Sequence, residues 1–193
     1  MRYLLVPLAL SVLISCATAD SGEPSVGADS TGILPQVSDT LRWHDSFKKL
    51  VAAISKGDKA ATRSFIDFPV MNEGNEIWFL ADSKLVMEMD GDKIRPFTEA
   101  DYDKYFSSIF AADLRQTVGK LDTATFFKTF EASSPEIEVV PDSKSQVTAT
   151  YDREKKQIFL LLNTKSETEF SVQYEFRLTD EGVIKFRQVR VAG

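Results

Sequence analysis

Apolar residues in the first part of the folded region recur at helical spacing. Four of them stand at i, i+3, i+4 and i+7, which predicts an amphipathic helix with one face turned inward. Asp39 or Thr40 can cap its start, and Gly57 is placed to end it. The inward-facing positions are Phe47, Leu50, Val51 and Ile54.

Two further helices are predicted from their caps. Asp58 is a good N-cap for a short helix from Lys59 to about Ile66. Thr98 opens another, with Asp101 at the third position of a capping box, and the pattern carries this helix to about Ala112. Its aromatic and aliphatic face consists of Tyr102, Tyr105, Phe106, Ile109 and Phe110.

The segment between these helices has strand-like composition. Residues 77–80 and 84–89 are apolar runs that read as strands, and Asp90-Gly91 is a strong turn signal, so we predict a hairpin there that closes through Ile94. Residues 114–130 are ambiguous, because threonines and phenylalanines favour a strand while Asp113 can cap another helical turn.

The last third of the chain alternates between apolar and polar residues, which is typical of strands with one buried face. Strands are predicted at 137–140, 146–151, 157–163, 169–178 and 183–191. In the last one the apolar positions shift phase between Phe186 and Val189, which predicts a β-bulge. Gly182 suits a left-handed turn position, and Glu175 is expected on a solvated face.

Helices followed by an antiparallel meander predict an α+β fold, in which N-terminal helices pack on a curved antiparallel sheet. We assign residues 38–193 to one such domain. The chain has 193 residues, 14 of them Phe, and 43% are hydrophobic, which is enough for a core of ordinary size.

The N-terminal sequence predicts that the protein is located in the cell envelope. A short apolar run ends in Leu13-Ile14-Ser15-Cys16, which resembles the processing site of bacterial lipoproteins. We therefore expect residues 1–15 to be a signal peptide and 16–37 to be the lipidated Cys16 followed by a disordered tether. The expected location is the outer membrane, at its periplasmic face or surface. The alternative is an ordinary secretory signal cleaved near Ala17 or Ala19.

Charge and cysteine content narrow the classes of partner. The formal net charge is −6, which argues against nucleic acid as a main partner. Cys16 is the sole cysteine, so no intramolecular disulfide can form. With one histidine, His44, the chain lacks the ligands of an ordinary zinc site, and no cofactor is expected.

These elements resemble the cystatin-like superfamily, and within it the cone-shaped domains related to nuclear transport factor two. The resemblance spans most of residues 39–191 and implies a sheet wrapped around a long helix, with a pocket at the open end. Such domains include isomerases, dehydratases and cyclases as well as noncatalytic binding modules, and they often form homodimers through the exposed sheet. No catalytic motif of that family matches, so no site residue is carried over. The features that carry the resemblance are the first helix, Gly57-Asp58, residues 65–69, Ile109-Phe110 and the hairpin 174–191.

Aromatic residues supply the candidate ligand pocket. They could border an apolar site with few polar anchors, or they could simply fill the core. His44 is a candidate general base, as is an aspartate, and the alternative for His44 is a surface histidine beside Trp43. Residues Asp101 to Tyr105 combine carboxylates with phenols. Successive residues of a helix point in different directions and cannot all contact one substrate, so we interpret this segment as a helix cap plus a core stripe. The predicted pocket residues are Trp43, Trp78, Phe79, Tyr102, Phe106, Phe126 and Tyr174.

The sequence thus predicts a membrane-anchored, noncatalytic envelope lipoprotein that binds a small apolar ligand or a protein partner. The alternative is an enzyme of the isomerase, dehydratase or cyclase type with a pocket acid or base. The two differ in the placement of His44 and the aspartates, because a base must face the cavity beside a donor.

Overall fold

The computed structural model describes residues 39–71, 76–88, 95–166 and 169–192. They belong to one compact unit, Val37–Gly193, in which helices precede a six-stranded sheet. The predicted α+β class is confirmed. The predicted signal peptide, Cys16, the predicted tether and the predicted Asp90-Gly91 turn lie outside the described residues. The elements are α1 Asp39–Lys56, α2 Lys59–Arg63, α3 Glu76–Ala81, α4 Ser83–Glu88, α5 Glu99–Ile109, α6 Ala112–Val118, α7 Thr123–Thr129, β1 Glu131–Ser133, β2 Ile137–Val140, β3 Ser143–Asp152, β4 Gln157–Lys165, β5 Phe170–Leu178 and β6 Ile184–Ala192.

Helix α1 forms as its apolar stripe predicts, and α2 begins at its predicted cap but ends at Arg63, before the predicted end at about Ile66. Helix α1 buries Phe47, Leu50 and Ile54, and it ends before Gly57, whose φ of 64° suits glycine. The Asp58 carboxylate accepts a hydrogen bond from the Ala61 N–H at 2.9 Å and so caps α2. The tight turn between them lays α2 beside the end of α1.

Helix α5 begins with the predicted capping box. The Thr98 hydroxyl accepts from the Asp101 N–H, and the Asp101 carboxylate accepts from the Thr98 N–H at 2.9 Å. The helix ends at Ile109, earlier than predicted, and α6 begins at Ala112.

The two strands predicted at 77–80 and 84–89 are wrong, because the described part of this segment forms helices α3 and α4. Ile77, Trp78 and Ala81 lie on one side of α3, so helical packing buries them together. The Asp82 carboxylate accepts from the Leu85 N–H at 3.2 Å and stabilises the start of α4. Tertiary packing here outweighs the strand propensity of the aromatic residues.

The ambiguous stretch 114–130 forms the end of α6 and then α7, with a turn at 119–122 between the two helices. Asp122 caps α7 by accepting from the N–H groups of Ala124 and Thr125. Phe130 adopts a left-handed conformation at the end of α7, and β1 follows directly.

The sheet confirms the five predicted strands and adds β1. Its order is β1-β3-β4-β5-β6, all antiparallel, and β2 pairs with a second stretch of β3. Between β5 and β6 the register shifts, so that Arg187 and Gln188 together oppose Glu175, which confirms the predicted bulge. Helices α1, α3 and α6 contact the sheet on the face that carries Tyr174, Phe176 and Val189.

Candidate functional site

The predicted pocket residues lie in the hydrophobic core, with one exception. Phe79 is 43% exposed on α3, whereas the other six are buried. They fall into separate groups. Trp43 and Phe126 meet edge to face at 6.1 Å, and Trp78 packs on Phe97 at 5.1 Å.

Tyr102, Phe106 and Tyr174 belong to a row of rings between α5 and the sheet. Tyr102 contacts Phe106 at 5.4 Å, Phe106 contacts Phe110 at 5.5 Å, and Phe110 stacks on Tyr174 at 5.9 Å between centroids. The Tyr102 hydroxyl donates to the Lys59 carbonyl and the Tyr174 hydroxyl to the Ile109 carbonyl, both at 2.7 Å. These phenols therefore join α5 to α2 and β5 to the end of α5.

The interior beside this row is filled. The space bordered by Tyr102 leaves no room for a water molecule, so it offers no volume to a ligand. Of the seven predicted pocket residues, Tyr102 is the one that borders it. The residues around this space are Ile66, Val70, Ile77, Phe97, Tyr102, Ile109, Phe110 and Phe186.

The buried tyrosines are poor candidates for proton transfer. Burial raises the pKa of Tyr102 well above its ordinary range, with a further increase from Asp103, and burial likewise raises the pKa of Tyr174. Both stay neutral at physiological pH, and each hydroxyl proton is already donated to a backbone carbonyl. We therefore interpret the hydrogen bonds of both tyrosines as structural.

We expect that removing the Tyr174 hydroxyl lowers the stability of the fold and leaves ligand binding unchanged. Tyr174→Phe leaves the Ile109 carbonyl without its donor in a buried site, at a cost of about 1 to 2 kcal/mol in the free energy of unfolding. Urea denaturation followed by circular dichroism measures it. Tyr151→Phe is the matched control, because Tyr151 is half-buried and its hydroxyl makes no hydrogen bond to a described residue. Equal losses in the two variants would contradict the assignment.

His44 lies away from the row of buried tyrosines. Its ring stacks on Phe127 of α7 at 3.9 Å and meets the edge of Trp43 at 4.3 Å. Partial burial, and then the charge of Lys48, lower its pKa below the usual value, so the imidazole is neutral at pH 7. Within the described residues no hydrogen bond orients this ring, and a general base needs such an orienting partner.

Asp101 is held in a structural bond network. Arg95 donates both of its terminal nitrogens to the Asp101 carboxylate at 2.6 and 2.8 Å, and the Thr98 hydroxyl donates at 2.6 Å. The hydrogen bond from Arg95 is the main reason that the pKa of Asp101 falls to about 2. The Arg95 guanidinium also lies over the Trp78 ring at 4.2 Å. The interpretation of this segment as a cap plus a core stripe is confirmed.

The prediction that Glu175 lies on a solvated strand face is wrong, because this residue is buried. Gln188 and Arg190 each donate to its carboxylate at 2.7 Å, and Gln173 donates at 3.1 Å. Burial acts to raise the pKa of Glu175, but these donors outweigh it and keep the pKa below its ordinary value. The alternation of residues placed Glu175 on the correct face of β5, but it could not show that neighbouring side chains would cover it.

The surface of the described residues includes two clefts that could hold a ligand or a partner segment. One, of about 300 Å³, runs between α1 and α2 and has a mainly apolar floor. The other, of about 230 Å³, lies at the ends of β3 and β4, where Lys165 pairs with Glu136 at 2.6 Å. Sequence reasoning missed the first cleft, because its alanines and lysines resemble the solvated side of an amphipathic helix.

Within 39–71, 76–88, 95–166 and 169–192, no three His, Cys, Asp or Glu side chains come close enough together to hold a metal ion. No helix in these ranges combines the length and apolar character needed to cross a bilayer.

Comparison with known proteins gives one distant similarity. No protein-family model matches the sequence, and no curated protein matches it significantly. Among solved structures, the chain is similar to a crystal structure from Shewanella frigidimarina NCIMB 400 described as that of a proposed ketosteroid isomerase. The alignment covers 78% of this chain and 94% of that chain, with 10% identity and a TM-score of 0.31. The class of the protein therefore follows from its own elements: an α+β domain with helices packed on a curled antiparallel sheet.

Proposed function

We propose that this chain is a lipid-anchored protein of the cell envelope that binds a protein partner at its surface and performs no catalysis. The observation that carries the proposal is the commitment of the candidate chemical groups to structural bonds around a filled interior. The cone-shaped domains of the cystatin-like superfamily remain the proposed family, on the resemblance of the sequence.

The sequence of the N-terminus supports the anchor. Leu13 to Cys16 fits lipoprotein processing, and Cys16 is the sole cysteine of the chain. A diacylglycerol on the sulfur and an acyl group on the new N-terminus supply more than one chain, which is what stable membrane attachment requires.

The geometry of the core favours binding over catalysis. Tyr102 and Tyr174 donate to backbone carbonyls, Asp101 is paired with Arg95, and His44 stacks on Phe127 of α7. An isomerase or dehydratase needs a base and a donor that converge on one substrate position in a cavity. The described cavity beside Tyr102 has no room for a substrate, which also favours a partner over a small apolar ligand.

The anchor is tested by Cys16→Ser in the native host. We expect the wild-type chain to incorporate labelled palmitate and to sediment with membranes, and the variant to lose both properties because the thiol that takes the lipid is gone. Ser21→Ala, in the predicted tether, is the matched control and should behave as wild type. Palmitate label on the Cys16→Ser chain, or a wild-type chain free in the soluble fraction, would refute the anchor.

The binding mode is tested by native mass spectrometry of the full lipoprotein extracted from host membranes. We expect a stoichiometric complex with another protein and no bound small molecule. A stoichiometric small ligand would refute the surface-binding version, and an enzymatic turnover lost on changing one buried acid would refute the noncatalytic one.

A further inference from the structure

The cleft between α1 and α2 is built from residues of both helices and the turn between them. We call it the α1–α2 groove. Its volume is about 300 Å³, at the lower end of the range for ligand sites in proteins. Its residues are Lys49, Ala52, Ala53, Lys56, Asp58, Ala61, Ser64 and Phe65.

The local sequence explains why the groove stays open. Lys49, Ala52, Ala53 and Lys56 stand at i, i+3, i+4 and i+7, so they share one face of α1. Because the middle two are alanines, that face is hollow between two long side chains. Phe65 and Ala53 are 7% and 5% exposed and provide an apolar floor.

The charge of the groove is unbalanced in a protein of net charge −6. Lys49 and Lys56 are exposed and form no ion pair with any described residue. The cations of α2 are paired instead, Lys59 with Asp103 and Arg63 with Glu99. The one carboxylate of the groove, Asp58, accepts from the Ala61 N–H as the cap of α2.

We propose that the α1–α2 groove binds an acidic, partly apolar segment of a partner protein, an inference that rests on the proposed function and specifies its partner. Seven helical residues rise about 10 Å, so Lys49 and Lys56 match two carboxylates at that spacing on the partner. An apolar side chain between those carboxylates fills the hollow over Ala52 and Ala53.

The groove suits a protein segment better than other anionic partners. Its two cations are too few for the phosphate contacts on which nucleic-acid binding depends. A single fatty acid carries one carboxylate and would engage one lysine. Two separated cations around an apolar floor are satisfied together by acidic side chains that flank an apolar one.

Photocrosslinking of the full chain in its host tests the groove. A benzophenone amino acid at Ala52 should give an adduct with one protein, whose crosslinked peptide contains acidic residues on both sides of an apolar one. The same probe at Ser108, exposed on α5, should not give that adduct. Lys49→Glu with Lys56→Glu should reduce the yield about tenfold, since both attractions become repulsions.

Two further variants make the result specific. Lys84→Glu with Lys128→Glu makes the same change in net charge on exposed residues outside the groove, and the adduct should persist. Changing the partner's two acids to lysine should restore the adduct with the charge-reversed groove. Circular dichroism of each variant establishes that it is folded.

Each contrary outcome overturns the inference. The inference is refuted by a lipid or fatty acid crosslinked at Ala52, by a crosslinked partner peptide without acidic residues, or by the absence of an adduct at Ala52. It is also refuted if the two charge variants lose the adduct equally. Different observations would refute the proposed function: a chain without lipid label, a stoichiometric small ligand, or enzymatic turnover. The two failures can therefore be told apart.

Discussion

Replacing Trp78 with alanine is expected to lower the free energy of unfolding by about 4 kcal/mol. Trp78 is fully buried, packs on Phe97 and Tyr105, and donates its indole N–H to the Arg95 carbonyl at 3.0 Å. The change leaves a cavity, an unsatisfied carbonyl and an Arg95 side chain without its aromatic support.

The neighbouring residue provides the control for this prediction. Phe79 follows Trp78 on α3 but is 43% exposed, so Phe79→Ala should cost less than about 1 kcal/mol. Urea denaturation of the two variants, followed by circular dichroism, measures the difference. If Phe79→Ala is as destabilising as Trp78→Ala, the result would contradict the packing of α3 against the core through Trp78.

Asp101→Asn is expected to cost about 2 kcal/mol at pH 7, and the cost should depend on pH. The hydrogen bonds from Arg95 and Thr98 lower the pKa of Asp101 from 3.8 to about 2. A lowered pKa adds stability that is complete above 3.8 and is lost as the pH falls from 3.8 to about 2. The stability difference between wild type and variant should therefore shrink through that interval.

The measurement is the free energy of unfolding at several pH values between 7 and 2. Asp103→Asn is the matched control, because Asp103 pairs with Lys59 at the surface, where ion pairs contribute about 0 to 1 kcal/mol. A difference between Asp101→Asn and wild type that stays constant down to pH 2 would show that the carboxylate charge is not what stabilises the start of α5.

Local signals predicted the elements whose ends depend on nearby residues. The stripe of α1, the Asp58 cap of α2 and the Thr98–Asp101 capping box each act within a few residues, so they can be recognised in the sequence. The β-strands were predicted because alternation with a period of two survives in an antiparallel sheet that is covered on one face.

The errors arose where distant contacts decide the local structure. Residues 77–80 have the composition of a strand, but α3 forms because Trp78 inserts between Phe97 and Tyr105, which are far along the chain. Strand β1 was missed because Glu131, Ala132 and Ser133 have little β-propensity and are held by pairing with β3.

The candidate site was harder to predict than the fold. Large aromatic residues such as Tyr102 and Tyr174 mark the interior of a domain, but composition does not tell a filled interior from a pocket. The α1–α2 groove gave no such signal, since Ala52, Ala53 and their flanking lysines look like an ordinary solvated helix face. Only the placement of α2 beside α1 makes that face concave.

The bulge in β6 has a consequence for chain length among homologues. Arg187 and Gln188 oppose Glu175 together, while Phe186 and Val189 on either side both face the core. A homologue one residue shorter at this point would keep its apolar side chains inside and would lose only the extra local twist. The same deletion in β4, which pairs regularly along its length, would move every later side chain of the strand to the opposite face of the sheet, so length variation is expected in β6 and not in β4.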